Sequence, residues 1–379
     1  MQKLNAAESI RGLACMAVVF SHLSLSFFPD LHAFDVVGPL QPSWMAWIHQ
    51  SPFGFWFSGT AAVYVFFVLS GYVLSFAIYK HADQLQTKVK NMLYKRYPRL
   101  AIPALFSCLL TWLLFQSFQV DPQNVGAWLA DYLTQSVSLK DAIYQGAIGS
   151  FLFAQSSVNW VLWTMQVELF GSLLLFLLIL IRQYQQWLFF LAAVLLLSIS
   201  YWIWSEGVFL GLSCFVLGML IYAYARELPL FVAILMGLSG LYLAGTHDNS
   251  GSYQWLVALL GTKTYDYANA LAGVLLVYSI LMSPQISSYL DQKGLVKLGE
   301  WSFSIYLLHL PLLYLVCVPV LNQLIHWQVD AQLAVWAAIF IFLCALLCCA
   351  AIYSRYVDRF AIQVSQGFAQ KIQSFHQNK

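Results

Sequence analysis

Charge is what this sequence has least of. Eighteen Lys and Arg and sixteen Asp and Glu make up 9% of its 379 residues, where an ordinary soluble domain carries about 25%. A water-soluble fold of this length cannot cover its surface with so few charges, so the natural solvent is lipid. The net charge of +2 is too small for a nucleic-acid partner. No Cys-x-x-Cys pair occurs, and the seven cysteines, an odd number, fall in or beside apolar segments. They read as packing residues rather than a disulfide or zinc framework. A small-residue cleavage pattern is missing after the first apolar stretch, and Arg11 and His22 lie within or beside it. A retained first span fits better than a signal peptide. No internal repeat, low-complexity segment or shift in composition divides the chain, so residues 1–379 read as one membrane domain without a fused soluble one.

What is present is apolar length. A span needs roughly 20 apolar residues, and ten candidates run near Ile10–Phe28, Phe57–Tyr79, Leu100–Phe118, Trp160–Ile181, Trp187–Trp204, Val208–Tyr224, Leu230–Gly245, Ala268–Met282, Phe303–Leu321 and Leu333–Tyr353. Backbone groups in lipid have no water to bond, so these segments should be helices. They are too long and too uniformly apolar for barrel strands. The expected fold is all-α: a polytopic membrane bundle of ten transmembrane helices. Ten spans put both termini on one side. The 18 Lys and Arg then sort 16 to 2, with only Lys140 and Lys263 opposite the rest. Positive loops stay in the cytoplasm, which makes both termini cytoplasmic and the location a cell (inner or plasma) membrane. The longest outer segments, Pro29–Trp56 and Gln119–Asn159, suit a lid or an acceptor-binding surface. The tail after Tyr356 reads as an interfacial or frayed end.

A charge at mid-membrane costs on the order of 2.5–3.5 kcal/mol. Most acids here lie in loops or at span ends; Glu168 does not, and His22 and His309 are the two histidines well inside spans. At ~1.5 Å per residue, His22 rises roughly 18 Å from the inner end and Glu168 descends roughly 12 Å from the outer end. In an apolar core of about 30 Å they meet at one level, with His309 nearer the cytoplasm. A carboxylate beside an imidazole would orient it as a general base for a hydroxyl. Arg11 and His22, eleven residues apart, share a helix face at ~100° per residue, and Glu8 lies close to it. Arg96 and Arg99, three apart, are either topogenic charges or a grip on a diphosphate. Simpler roles remain open for the deep groups: His309 as a bond between helices, Glu168 as a bond to a tryptophan or backbone. The two deep histidines lie on different spans with no acid beside either in sequence, so no metal site is expected.

Five motifs now stand in order. The first span reads Glu8-Ser9-Ile10-Arg11-Gly12-Leu13-Ala14 followed by Val18-Val19-Phe20-Ser21-His22. The second holds Phe66-Phe67-Val68-Leu69-Ser70-Gly71-Tyr72. Arg96-Tyr97-Pro98-Arg99-Leu100, with Pro103, precedes the third. Trp163-Thr164-Met165-Gln166-Val167-Glu168 opens the fourth, and Ser304-Ile305-Tyr306-Leu307-Leu308-His309-Leu310-Pro311 lies in the ninth. Together they resemble the acyltransferase-3 family of polytopic membrane acyltransferases over nearly the whole chain. The resemblance implies ten core helices and a cytoplasmic acyl-coenzyme A donor. It also implies transfer of an acyl group, commonly acetyl, to a hydroxyl, often of a surface glycan. Departures are Tyr64 and Val65 where an acid often precedes the Phe-Phe pair, Met165 for Leu, Gly171 where an aromatic is common, and Asp358 for Glu without a following Pro.

With that resemblance, His22 is the expected base. Glu168 either orients it or positions the acceptor. Arg96 and Arg99, with Arg11, hold the donor phosphates. Tyr306 and His309 help to place the pantetheine arm, and an acyl-His relay is the other route. The lipid bilayer, acyl-coenzyme A and a hydroxyl-bearing acceptor are the expected partners. The rival class is a proton-coupled transporter or flippase of a glycan or lipid precursor, since deep His and Glu also build proton relays. Such folds often show paired, broken helices in two related halves, and none is evident here. An inactive scaffold gives no reason to keep these groups in lipid.

Overall fold

The computed structural model describes residues 2–34 and 40–377, so positions 35–39 of the first outer segment and Lys379 of the basic set lie outside it. Among the described residues there are helices and no strand. We number ten principal helices: α1 (Gln2–Phe27), α2 (Gly59–Tyr79), α3 (Leu85–Ser117), α4 (Thr164–Tyr184), α5 (Gln186–Ile203), α6 (Glu206–Tyr224), α7 (Leu230–Ala244), α8 (Thr264–Leu281), α9 (Lys293–His326) and α10 (Ala331–Ser374). Each of the ten apolar segments read from the sequence is helical. Eight helices are long and apolar enough to cross a bilayer, or nine if one bent pair is counted. The two that fall short are α7, with 15 residues, and α8, whose stretch Gly251–Leu281 turns by 93° into Pro284–Leu290. The bend has a local cause. Proline disfavours the helical conformation in the residue before it, and Ser283 is extended (φ −107, ψ 110).

Register follows from where glycines let backbones touch. In α1 and α9, Gly12 meets Gly299, the Cys15 thiol donates to the Ser302 carbonyl and His22 meets His309. Each pair is 287 residues apart. A constant difference means the two helices run parallel. A Cβ at Gly12 would lie 2.7 Å from the Gly299 nitrogen, so only glycine permits this approach. α2 and α6 instead run antiparallel: Gly71 faces Phe215 and Gly218 faces Val68. α7 and α8 do the same through Gly240 against Leu276 and Gly237 against Ser279. One continuous buried core runs from Ala6 to Ala350, while α5 presents Leu191, Val194 and Leu195 outward as a lipid-facing element.

Three helices outrun their apolar stretches. α3 begins at Leu85 rather than near Leu100 and takes the basic residues Lys88–Arg99 into a 33-residue helix. α9 begins at Lys293, ten residues before the apolar run. α10 continues past Tyr353 through a π-helical turn, Ser354–Asp358, into the amphipathic helix Arg359–Gln377. The tail is thus ordered, packed along α3 on its small residues Ala361, Ser365 and Ala369. Hydropathy detects only the part of a helix that suits lipid, so these polar extensions were not visible to it.

Candidate active site

The parallel register of α1 and α9 places two imidazoles edge to edge. His22 Nδ1 lies 2.7 Å from His309 Nε2, and His309 Nδ1 lies 3.3 Å from the Ile305 carbonyl one turn back. A carbonyl only accepts, so His309 Nδ1 carries the proton and its Nε2 is a lone pair. His22 Nδ1 therefore donates, and His22 Nε2 is left as the free base. The ring stacks on Trp128, with centroids 4.8 Å apart. Trp128 comes from the short helix Ala127–Leu133. That helix rests on the end of α1 because Gly126 has no side chain: its N–H donates to the Ser26 carbonyl at 2.7 Å, and a Cβ there would press on the Leu25 carbonyl. His22, Trp128, Trp160, Trp163 and Tyr265 line a cavity of about 280 Å³.

A second cavity, of about 400 Å³, lies toward the end of the bundle that carries Glu8. Its walls hold three arginines and four carboxylates, and each arginine is already engaged. Arg11 pairs with Glu8 at 2.7 Å. Arg96 makes an ion pair with Glu168 and also donates to Ser172 Oγ at 3.0 Å and to the Glu168 carbonyl at 3.2 Å. Ser70 donates to the other Glu168 oxygen at 2.8 Å. Arg99 grips Asp358 with both guanidinium nitrogens, at 2.5 and 3.1 Å, and the π-helical turn at Ser354–Asp358 is what brings that carboxylate in. Glu300 is the fourth acid.

The expected pairing of His22 with Glu168 does not form. The two groups line different cavities, and Glu168 is spent on Arg96. Depth along a helix fixes a level but not a direction, and α3, starting 15 residues earlier than its apolar run, delivers Arg96 to the carboxylate. His309, expected nearer the cytoplasm, stands instead at the level of His22. The position below it is Tyr306. Its hydroxyl donates to the Val161 carbonyl at 2.9 Å and lies 3.0 Å from Thr164 Oγ1. Tyr306 and Val63 are the residues common to both cavities. They form the partition between them.

The segment Gln119–Asn159, read from the sequence as a lid or an acceptor-binding surface, supplies Trp128 to the wall of the tryptophan-lined cavity, whereas sequence reasoning missed a buried histidine layer next to it. His247 Nδ1 donates to the Gly245 carbonyl at 3.1 Å, so its Nε2 accepts from His32 Nδ1 at 3.2 Å, and His32 Nε2 lies 2.8 Å from Ser24 Oγ, whose one hydrogen is shared between that nitrogen and the Ser21 carbonyl, also at 2.8 Å. The bonds to Gly245 and between the rings hold with both rings neutral. Burial pushes His32 down to about 3 and His247 down to about 4. Phe34, stacked on His32 at 5.1 Å, carries this layer to the rim of the tryptophan-lined cavity. Loop histidines give no periodic signal, so nothing in the spacing would have found them. Among the described residues no group of three or more His, Cys, Asp or Glu is arranged to hold a metal ion.

Compared with known families, residues 4–354 match the model of a family described as an acyltransferase domain. No curated protein and no solved structure matches the chain.

Proposed function

The chain belongs to the acyltransferase-3 family and is a membrane acyltransferase; on that premise we propose that it moves an acyl group, acetyl in the simplest case, from cytoplasmic acyl-coenzyme A to a hydroxyl of a surface glycan or related acceptor. The proposed topology has ten spans with both termini cytoplasmic, and the 16-to-2 sorting of basic residues supports it. The cavity with the arginines then opens to the donor and the tryptophan-lined one to the acceptor.

The observation that carries the reading is the His309–His22 hydrogen bond, which leaves His22 Nε2 as a lone pair on a residue that lines a cavity. In the proposed step the acceptor hydroxyl gives its proton to His22 Nε2 as its oxygen attacks the thioester carbonyl. The tetrahedral adduct collapses, the carbon–sulfur bond breaks, and the imidazolium returns the proton to the departing thiolate. His309 accepts from His22 Nδ1 throughout and holds the ring in the basic tautomer, a role the sequence had suggested for Glu168. Glu168 in turn braces Arg96, so that the cation can sit in lipid at the donor's end. Arg11 and Arg99 line the route of the donor, and Tyr306 stands where its pantetheine arm meets the partition. The thioester must pass Tyr306 and Val63 to reach His22. An acyl-His22 intermediate would solve the same problem in two half-reactions.

The test is His22→Ala. The purified variant should still be stabilised thermally by acyl-coenzyme A and lose turnover by about 10²–10⁴-fold. Turnover near that of the wild type would remove the base. A transporter or flippase would show no thermal stabilisation by acyl-coenzyme A in either protein.

A further inference from the structure

The donor cavity presents a problem of charge. Coenzyme A brings a diphosphate and a 3′-phosphate, yet the three arginines of that cavity face four carboxylates. Arg11, Arg96 and Arg99 are each paired with an acid. A polyanion gains little there unless cations outside the pairs reach it.

Such cations stand next door. A neighbouring cavity of about 600 Å³ lies between the start of α9 and the π-helical turn of α10. It shares Glu300 and Asp358 with the donor cavity, so the two adjoin across these acids. Its cations are Lys297, Arg355 and Arg359. Lys297 pairs with Glu300 at 2.6 Å, and Asp358 is held by Arg99. Among the described residues no acid lies within ion-pair distance of Arg355 or Arg359. They are exposed, four residues apart, and their forks suit phosphate oxygens. Trp301 and Tyr356 complete the walls, with Lys297 and Arg355 lying over their rings at 5.4 and 5.8 Å, so aromatic surface for a purine stands beside cations for its phosphates.

Resting on the acyl-coenzyme A reading above, we propose that this annex is the seat of the donor's nucleotide end, with Arg355 and Arg359 as its phosphate ligands. The pantetheine arm then runs past Glu300 and Asp358 into the cavity of Phe66 and Phe303. The division of labour differs from the one the motifs suggested. The paired arginines shape and brace the channel, and the unpaired ones outside it hold the polyanion.

The experiment compares acetyl-coenzyme A with S-acetylpantetheine, which lacks the nucleotide, by dissociation constants on the full-length protein in neutral detergent. The variant is Arg355→Gln/Arg359→Gln. Its side chains are exposed, and thermal unfolding without ligand checks its fold. We expect affinity for acetyl-coenzyme A to fall roughly ten-fold or more with that for S-acetylpantetheine unchanged. Adenosine 3′,5′-bisphosphate should compete with acetyl-coenzyme A on the wild type at concentrations that have no effect on the variant. Unchanged affinity for acetyl-coenzyme A overturns the proposal, and so do equal losses for both donors, which would mean that the arginines act on the fold. A variant that merely co-purifies with less anionic phospholipid, with donor affinity unmoved, would assign the arginines to lipid phosphate and also overturn it. A wild-type protein that binds neither donor would sink the acyl-coenzyme A reading itself.

Discussion

The two cavities that meet at Tyr306 are built on opposite principles. The inner one has seven Arg, Glu and Asp side chains in its wall; the outer one has none, and offers three tryptophans, His22 and hydroxyls instead. On the inner side charge is admitted to the membrane only with a partner, because an unpaired ion there costs several kcal/mol. On the other side the proposed base, His22, is oriented by a second imidazole rather than by a carboxylate. On the proposed reading, electrostatic fixtures belong to the donor's end, and shape and proton transfer to the acceptor's end.

The contrast can be broken first at Glu168. Glu168→Gln strands Arg96 as a buried cation and should lower unfolding stability by about 3–5 kcal/mol, read by thermal or denaturant unfolding in detergent. Arg96→Gln/Glu168→Gln, which removes both charges, should recover much of that loss. If the single variant is as stable as the wild type, the pair is not what keeps charge in the inner wall. Next comes His309. His309→Leu should reduce turnover about a hundred-fold with little change in the donor's KM, whereas His309→Gln, whose amide oxygen can still accept from His22 Nδ1, should retain most of it. Equal losses in the two would mean that His309 only packs.

The outer histidine layer is the third lever. An ordinary histidine binds its proton near 6.5, and His32 and His247 bind theirs near 3 and 4. Between those values the unfolded chain holds more protons than the folded one. Stability is therefore full above about pH 6.5 and should decline as pH falls toward 4, by up to about 1.4 kcal/mol per pH unit for each ring. Melting temperatures from pH 7.5 to 5 test this, and His247→Asn should flatten the slope. The smallest effect is expected at Trp128. Trp128→Leu removes the stack on His22 and should raise the acceptor's KM or lower turnover about five-fold, in line with 0.5–1.5 kcal/mol for such a contact.

Much of this was legible in the sequence, but unevenly. The ten apolar runs are all helices, because apolar length alone decides that in lipid. Of the ionisable residues that stood out, Arg11, Arg96, Arg99 and Glu168 line one cavity and His22 the other, while His309 stands behind His22 and bonds to it, because an ion in lipid needs a reason to be there. Partners were less legible. That His22 meets His309 depends on which faces of α1 and α9 turn together, and that is set by the Gly12–Gly299 contact, which no single helix reveals. Gly171 looked like a loss where an aromatic is common. The ring of Phe215, from α6, fills the space that a side chain at 171 would need, so the aromatic is supplied from another helix. Asp358 lies beyond the last apolar run, and its grip on Arg99 depends on a π-helical turn that hydropathy does not register.

The glycine contact between α1 and α9 has one more consequence. Membranes differ in thickness, and helices answer by tilting or sliding at a cost of fractions of a kcal/mol per ångström. These two helices cannot slide past each other, since Gly12 and Gly299 touch backbone to backbone ten residues from the imidazoles. Changes in lipid chain length can tilt the pair as a unit while the 2.7 Å between His22 and His309 stays fixed, so the geometry of the two imidazoles is insulated from the solvent that surrounds it.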